Sequence, residues 1–417
     1  MVKMIRANQH SSNPWFALVI VAATAIVAGV YFLSRPRRDP EKLWAEAQTE
    51  LKAGRGDKAE ALVEEIGKLR PPTPLDEMLK AQIAIAGGRV DEALGHLEKV
   101  PDNHQMGAQA RLLAGQLELR RKRPRLAEGF LLKAVELDPD LVQARRELVY
   151  IYGILLRREG LREQFQALSD ISVLTFKDVF VWCLTRSSIW EPIKNTAPLR
   201  EYVEKDPEDR WSRLALAENL RQLNRRDEAE KVLEPLPNTD ADALLIRVRI
   251  ALDRNQDEES IQALLKQGPD DNAELSRIRG KFALAHKRGE EAIRHYRLAF
   301  ERDPDQRDGQ VGMAQALTMV GDEKAAAPFA KRARDLEQLT TLVQRAAATD
   351  ARNDIPLIKS LGAACEQVGR IPEAKAWYTL ALNTNPLDAE AQKAIFRLKK
   401  TNIADTGRES AEPRSKP

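Results

Sequence analysis

Residues 280–304 read GKFALAHKRGEEAIRHYRLAFERDP. Two stretches of helical periodicity flank the turn HKRG, and they carry the small residues Gly280 and Ala292 twelve positions apart. Paired helices approach closely only where a small side chain faces the partner's backbone. One such position on each helix, at a set separation, therefore fixes the turn between them. Tyr296 and Ala299 extend the apolar face of the second helix, and Asp303-Pro304 stops it.

The same arrangement recurs in both directions. GDKAEAL, VDEALGHL, RDEAEKVL and IPEAKAWY echo GEEAIRHY, and aligning their small residue gives Ala59, Ala93, Ala127, Leu161, Asn195, Ala229, Ser260, Ala292, Ala326 and Ala374. Successive spacings are 34, 34, 34, 34, 34, 31, 32, 34 and 48. Twelve residues upstream of each lie Ala47, Ala81, Gly115, Val149, Cys183, Ala217, Val248, Gly280, Ala314 and Gly362, none of them large. Apolar residues at helical spacing fill the remainder, as with Leu112 and Leu119 on one helix and Phe130, Leu131 and Val135 on the next. Pro71, Pro139, Pro207, Pro304 and Pro386 end several units. A period of this length predicts stacked units, because a single unit cannot cover its own apolar faces.

This pattern resembles the tetratricopeptide repeat family over about residues 41–400. The most faithful units carry Gly115–Ala127–Ala134–Pro139, Gly280–Ala292–Tyr296–Ala299–Pro304 and Gly362–Ala374–Tyr378–Ala381–Pro386; those at Leu161, Asn195 and Ser260 keep the spacing but not the residues. The resemblance implies an all-α fold of about ten antiparallel helix pairs, wound into a right-handed superhelical solenoid with a concave groove. Its structural positions are Ala59, Ala93, Gly115, Ala127, Ala134, Ala217, Ala229, Gly280, Ala292, Ala299, Gly362, Ala374 and Ala381. The groove-facing positions carried over from the family are Gln109, Gln116, Gln143, Arg146, Tyr150, Trp211, Glu218, Arg221, Arg249, Arg277, Lys281 and Lys359. They imply binding of other proteins or extended peptide segments. Cations outnumber acids among them, so an acidic segment held by charge-assisted bonds is expected. The Lys/Asn clamp of the chaperone-binding subclass is not matched, since Gln116 and Glu147 stand at its Asn positions.

Ahead of the repeats, Trp15 to Leu33 (WFALVIVAATAIVAGVYFL) is uncharged for nineteen residues. As a helix it would be roughly 28 Å long, against a hydrocarbon core of about 30 Å. Aromatic residues sit at both ends and Arg35, Arg37 and Arg38 follow, as expected of a single span through the lipid bilayer. The alternative is a secretory signal cleaved at Ala23-Thr24-Ala25. Ala25 and Gly29 form a small-xxx-small pair that would allow self-association. Lys3 and Arg6 before the span are outnumbered by Arg35, Arg37, Arg38 and Lys42 after it, which favours a cytoplasmic repeat domain in a cell membrane. The expected organisation is a tail (1–14), a span (15–34), a basic linker (35–40), the array (41–400) and a disordered tail (401–417).

Three segments break the rhythm. Residues 170–206 form an atypical unit rich in aromatics, with Phe176, Phe180, Trp182 and Trp190 serving either as core or as an exposed patch. Residues 334–352 read as an inserted helix, and 387–400 as a cap helix.

Composition narrows the function. The 417 residues hold 66 Lys+Arg against 63 Asp+Glu, a net charge of +3, which argues against a nucleic-acid partner. Two cysteines, Cys183 and Cys365, exclude a disulfide framework and a four-cysteine zinc site. The motifs GxSxG, HExxH, GxxxxGK[ST] and CxxC are missing, so no enzyme activity and no cofactor is expected. Of His10, His96, His104, His286 and His295, only the last two lie near each other, and surface histidines are the expected reading. The remaining class is a membrane-anchored scaffold that recruits or organises other proteins. A second resemblance, to envelope assembly regulators of the lipopolysaccharide assembly protein B type, rests on one N-terminal span, a repeat array and comparable length. That type ends in a metal module built from cysteine pairs, and this chain ends in TGRESAEPRSKP.

Overall fold

The computed structural model describes residues 39–409 apart from 172, 186–191, 271, 304 and 349–350. Among these residues there are twenty-one α-helices, one 3-10 turn and no strand. The expected span Trp15–Leu33, its flanks and residues 410–417 lie outside the described residues. No helix among the described residues is long and apolar enough to cross a membrane.

The chain divides into two compact units, Met1–Pro101 and Asp102–Pro417. The first contains the helix pairs α1 (Pro40–Lys52) with α2 (Gly56–Leu69) and α3 (Pro74–Ala86) with α4 (Val90–Glu98). The second begins with α5 (Gly107–Arg120) and α6 (Pro124–Leu137), α7 (Val142–Ile154) and α8 (Arg158–Asp170), then α9 (Phe176–Thr185) and α10 (Pro192–Lys205). It continues with α11 (Arg210–Gln222) and α12 (Arg226–Leu233), α13 (Ala241–Asp253) and α14 (Glu258–Gln267), and α15 (Ala273–Ala285) and α16 (Gly289–Arg302). Last come α17 (Arg307–Met319) and α18 (Glu323–Ala348), α19 (Ile355–Gln367) and α20 (Ile371–Thr384), and the closing α21 (Ala389–Glu409).

Local chemistry explains where these helices start and stop. Several first helices begin at a side-chain cap: Thr73 and Asp76 form a reciprocal capping box at α3, and Asp209, Asp240, Asn272 and Asp354 accept from the next amides. Second helices mostly start straight from a tight turn. In that turn the chain passes through one residue of positive φ, such as Lys122 at 64°. Its N–H donates to the Leu119 carbonyl (3.0 Å) and the N–H of Arg123 to that of Glu118 (2.9 Å), satisfying carbonyls that the helix end leaves open. The same residue is Gly54, Gly88, Gly321 or Gly369 in four turns, and Leu156, Asn224, Asn255 or Lys287 in four others. Arginine follows it at 55, 89, 123, 157, 225, 288 and 370, a periodicity that lies beside the small-residue register.

All thirteen structural repeat positions named above are buried. First helices are covered on more than one side, so in α11 every residue from Leu214 to Leu220 is buried. Second helices bury one stripe, as Ala292, Ile293, Tyr296 and Ala299 do in α16.

Of the aromatic segment, Phe180 and Trp182 are core and Phe176 packs half-buried against them, while Trp190 lies outside the described residues. Trp182 stacks on Phe165 (5.7 Å between ring centres), and α9 packs against α8, α18 and α20. Phe176 meets Trp377 of α20 edge-on at 5.4 Å, and Trp377 Nε1–H donates to Cys183 Sγ at 3.3 Å. The fifth pair is thus covered by the tenth, and one apolar cluster runs from Leu112 to Ile250 and again from Leu336 to Leu398. Two expectations are corrected. Residues 334–348 continue α18 as a single 26-residue helix instead of forming a separate one, with Leu336, Leu339 and Val343 buried on the added turns. The cap helix runs on to Glu409, so 401–409 are helical where a disordered tail was expected.

Candidate protein-binding face

The first helices of neighbouring pairs lie close enough for their side chains to join, and they join as an ion-paired row. On α11, Glu218 is 7% exposed and accepts from Arg221 Nη2 (2.9 Å) and from Arg249 Nη1 of α13 (3.3 Å). Arg221 also reaches Asp253 (2.5 Å), and Arg249 Nη2 reaches Glu274 of α15 (3.2 Å). Glu274 takes a second bond from Arg277 Nη2 (2.7 Å), whose Nη1 lies 3.9 Å from Asp308 of α17. The row Asp253–Arg221–Glu218–Arg249–Glu274–Arg277–Asp308 therefore spans four helices.

Electrostatics keep this row charged. Burial works to raise the pKa of Glu274, but Arg277 and Arg249 outweigh it and hold the carboxyl below its ordinary range. Burial opposes the charge on Arg221 as well, and Glu218 and Asp253 more than compensate. Arg158, at the start of α8, is the exception. Burial lowers its pKa although Glu274 favours the charge, and its side chain still reaches water. It therefore sits in a recess, crowded by protein yet open to solvent.

Arg158 also lines a pocket of about 340 Å³, whose walls include Val149, Leu161, Phe165 and Val181. Tyr150, Lys177, Asn195 and Asp178, the last already paired with Arg146, line its polar side. Neither Arg158 nor Lys177 holds an ion pair among the described residues. Tyr150 is 47% exposed, and its hydroxyl meets that of Tyr202 at 2.8 Å. Burial, and then that bond, raises the pKa of the Tyr202 phenol.

The other residues expected on this face are placed as follows. Gln109 is half-buried, Gln143 is exposed, and Gln116 Nε2 donates to Glu147 Oε1 (3.1 Å). Arg146 pairs with Asp178 (3.3 Å) and donates to the Val173 carbonyl (3.1 Å). Trp211 is half-buried between the guanidinium groups of Arg157 (4.9 Å) and Arg210 (4.5 Å). Lys359 binds Glu390 (2.6 Å) and Asp388 (3.1 Å). Lys281 is exposed and holds no ion pair among the described residues.

The expected cationic surplus is therefore corrected: of the cations carried over from the family, only Lys281 lacks a carboxylate partner among the described residues. The partners Asp178, Asp253, Glu274 and Asp308, and the unpaired Arg158 and Lys177, were missed from the sequence. Their signal was faint: Arg221–Asp253 and Arg146–Asp178 each span 32 residues, close to one repeat. His286 and His295 contact separate carboxylates, Glu258 (2.6 Å) and Glu291 (3.8 Å). Among the described residues, no group of three or more His, Cys, Asp or Glu is placed to hold a metal ion.

This architecture defines an all-α protein of helix-hairpin repeats. Tetratricopeptide repeat family models match residues 78–142 and 198–249, the second stretch including Glu218, Arg221 and Arg249. Both matches support tetratricopeptide repeats in this chain. No curated protein sequence matches it. Among solved structures, a tetratricopeptide repeat protein from Parabacteroides merdae is 14% identical, with a TM-score of 0.33 over 67% of this chain and 98% of that one. A human IFIT1 dimer with m7Gppp-AAAA is 15% identical (TM-score 0.32; 91% of this chain, 84% of that one). The APC/C hetero-tetramer Cut9–Hcn1 is 14% identical (TM-score 0.31; 88% and 85%). At such scores none of their properties is carried over.

Proposed function

We propose that this chain is a membrane-anchored scaffold that binds an extended segment of another protein across the first helices of its second unit. By doing so it recruits that partner to the bilayer. The tetratricopeptide matches support a protein-interaction role of this kind. The observation that carries the reading is the pocket beside the ion-paired row, where an apolar wall adjoins two unpaired cations, Arg158 and Lys177.

Such a pocket suits a segment that offers one large apolar side chain next to carboxylates. At about 340 Å³ it stands at the low end of ligand-sized cavities, enough for a side chain and too small for a folded partner. Carboxylates of the segment would pair with Arg158 and Lys177 without displacing an existing partner, so they avoid the cost of breaking an ion pair. The anchor is Trp15–Leu33, with the repeats on the cytoplasmic side and Ala25–Gly29 available for self-association.

The test is affinity capture of the full chain in detergent, against a control that carries residues 1–40 only. Partners should appear on the full chain alone and be lost in the Arg158→Glu/Lys177→Glu double variant. Capture of the same proteins by the short control would defeat the scaffold reading. Binding unchanged in the double variant would defeat its placement at this pocket.

A further inference from the structure

We propose that Gly153 holds the pocket beside Arg158 open, and that the partner segment fills it with one leucine-sized side chain flanked by carboxylates. This rests on the reading of that pocket as the seat of a partner segment. Gly153 belongs to α7 and lines the pocket, and a Cβ added to it would meet nothing within 4 Å. Glycine is a poor residue inside a helix unless the backbone needs a positive φ or a neighbour needs the room. Neither need is present here. The turn after α7 takes its positive φ at Leu156, and no atom crowds the place of the absent side chain.

The repeat register shows what is missing. Gly153 stands four residues after Val149, and the same place in five other units holds Leu51, Ile85, Leu119, Leu252 and Leu284. The remaining units have Ser187, Arg221, Thr318 and Glu366 there, and none has a second glycine. Leu51, Leu119, Leu252 and Leu284 are half-buried, and each packs against an apolar cluster. The fourth helix pair lacks such a side chain, and its pocket is walled instead by Val149, Leu161, Phe165 and Val181. An aliphatic group from outside can take the place that leucine takes elsewhere, covering apolar surface that the chain leaves open. Arg158 and Lys177 line the same pocket without an ion pair among the described residues, while Asp178 is occupied by Arg146 and by the Thr175 hydroxyl (2.8 Å). Charge complementarity therefore selects acidic residues on either side of the aliphatic one.

The experiment titrates the full chain in detergent, by calorimetry, with the peptide acetyl-Glu-Asp-Leu-Asp-Glu-amide. Beside it run a version with alanine in place of leucine and the uncharged version acetyl-Gln-Asn-Leu-Asn-Gln-amide. One leucine peptide should bind per chain. The alanine peptide should bind roughly 10- to 100-fold more weakly, the worth of one buried leucine side chain, and the uncharged peptide more weakly too. Gly153→Leu should supply the side chain from within, abolishing binding while raising the thermal midpoint, a combination that a merely structural glycine would not give. Should that variant fail to fold, the comparison of leucine and alanine peptides on the unmutated chain decides. No binding of the leucine peptide, equal binding of the alanine peptide, or unchanged binding by Gly153→Leu would overturn the proposal. Capture of partners by the full chain, and its loss in the Arg158→Glu/Lys177→Glu variant, would stand in each of those cases, so this failure is distinct from failure of the scaffold.

Discussion

Adding a single methyl group to Gly115 should reveal whether α5 and α6 are held at the distance that the repeat requires. A Cβ at this position would lie 2.7 Å from Leu131 Cγ, 2.9 Å from its Cδ2 and 3.3 Å from the Ala127 carbonyl oxygen. Carbon atoms prefer roughly 3.5–4.0 Å. Leu131 would have to withdraw by about an ångström, and it is fully buried, where interiors are close-packed. Overpacking of this kind costs about 1–3 kcal/mol. Working against it, alanine is a better helix former than glycine by roughly 1 kcal/mol. The internal control is Gly129 on α6, where an added Cβ meets nothing within 4 Å. Gly129→Ala receives the propensity gain alone and should be about 1 kcal/mol more stable than the unmutated chain. Gly115→Ala should fall about 1–3 kcal/mol below Gly129→Ala, because only the clash separates them. Urea unfolding followed by circular dichroism measures this as a shift in midpoint at constant slope. Equal midpoints for the two variants would refute the close approach of the helices, and with it the small-residue register.

Other perturbations probe other links. Lys287 is exposed and sits at φ 57°; Lys287→Gly should relieve left-handed strain and stabilise by about 1 kcal/mol, seen as a higher urea midpoint. Glu274→Gln should cost about 1–3 kcal/mol at pH 7 by leaving Arg249 and Arg277 without their shared carboxylate. Because the folded pKa of Glu274 is depressed, its contribution is complete above the unfolded value of about 4.3 and fades as pH falls through the folded value. The gap between this variant and the unmutated chain should therefore close on acidification, and a gap that widens would contradict the row. Ala25→Arg should oppose insertion of the proposed span by about 3 kcal/mol, moving the chain from the membrane to the soluble fraction.

What could be read from the sequence was whatever repeats locally. The small residues at 115 and 127, or 280 and 292, mark the hairpins because close helix approach tolerates little else there. Spacing alone placed Leu161, Asn195 and Ser260 on second helices, where the structure has them. The seam between α9 and α20 could not be seen, since nothing in the period of a repeat says that Trp377 will meet Phe176. The neutralising carboxylates were hidden for a related reason. Arg249 and Arg277 look like a cationic surplus until Glu274, half-buried between them from the start of the next first helix, is placed in space. The extension of α18 was misread because an amphipathic insertion has the same periodicity whether it starts a helix or lengthens one.

The contact between Trp377 and Cys183 changes how the array can vary. In a string of repeats where each unit touches only its neighbours, whole units can be gained or lost with local effect, and melting begins at the ends. Here one such gain or loss between residues 186 and 354 would rotate the tenth pair away from the fifth and leave Phe176 and Trp182 facing water. The count of helix pairs along that stretch is thereby pinned, and damage near the end of the chain is felt in its middle.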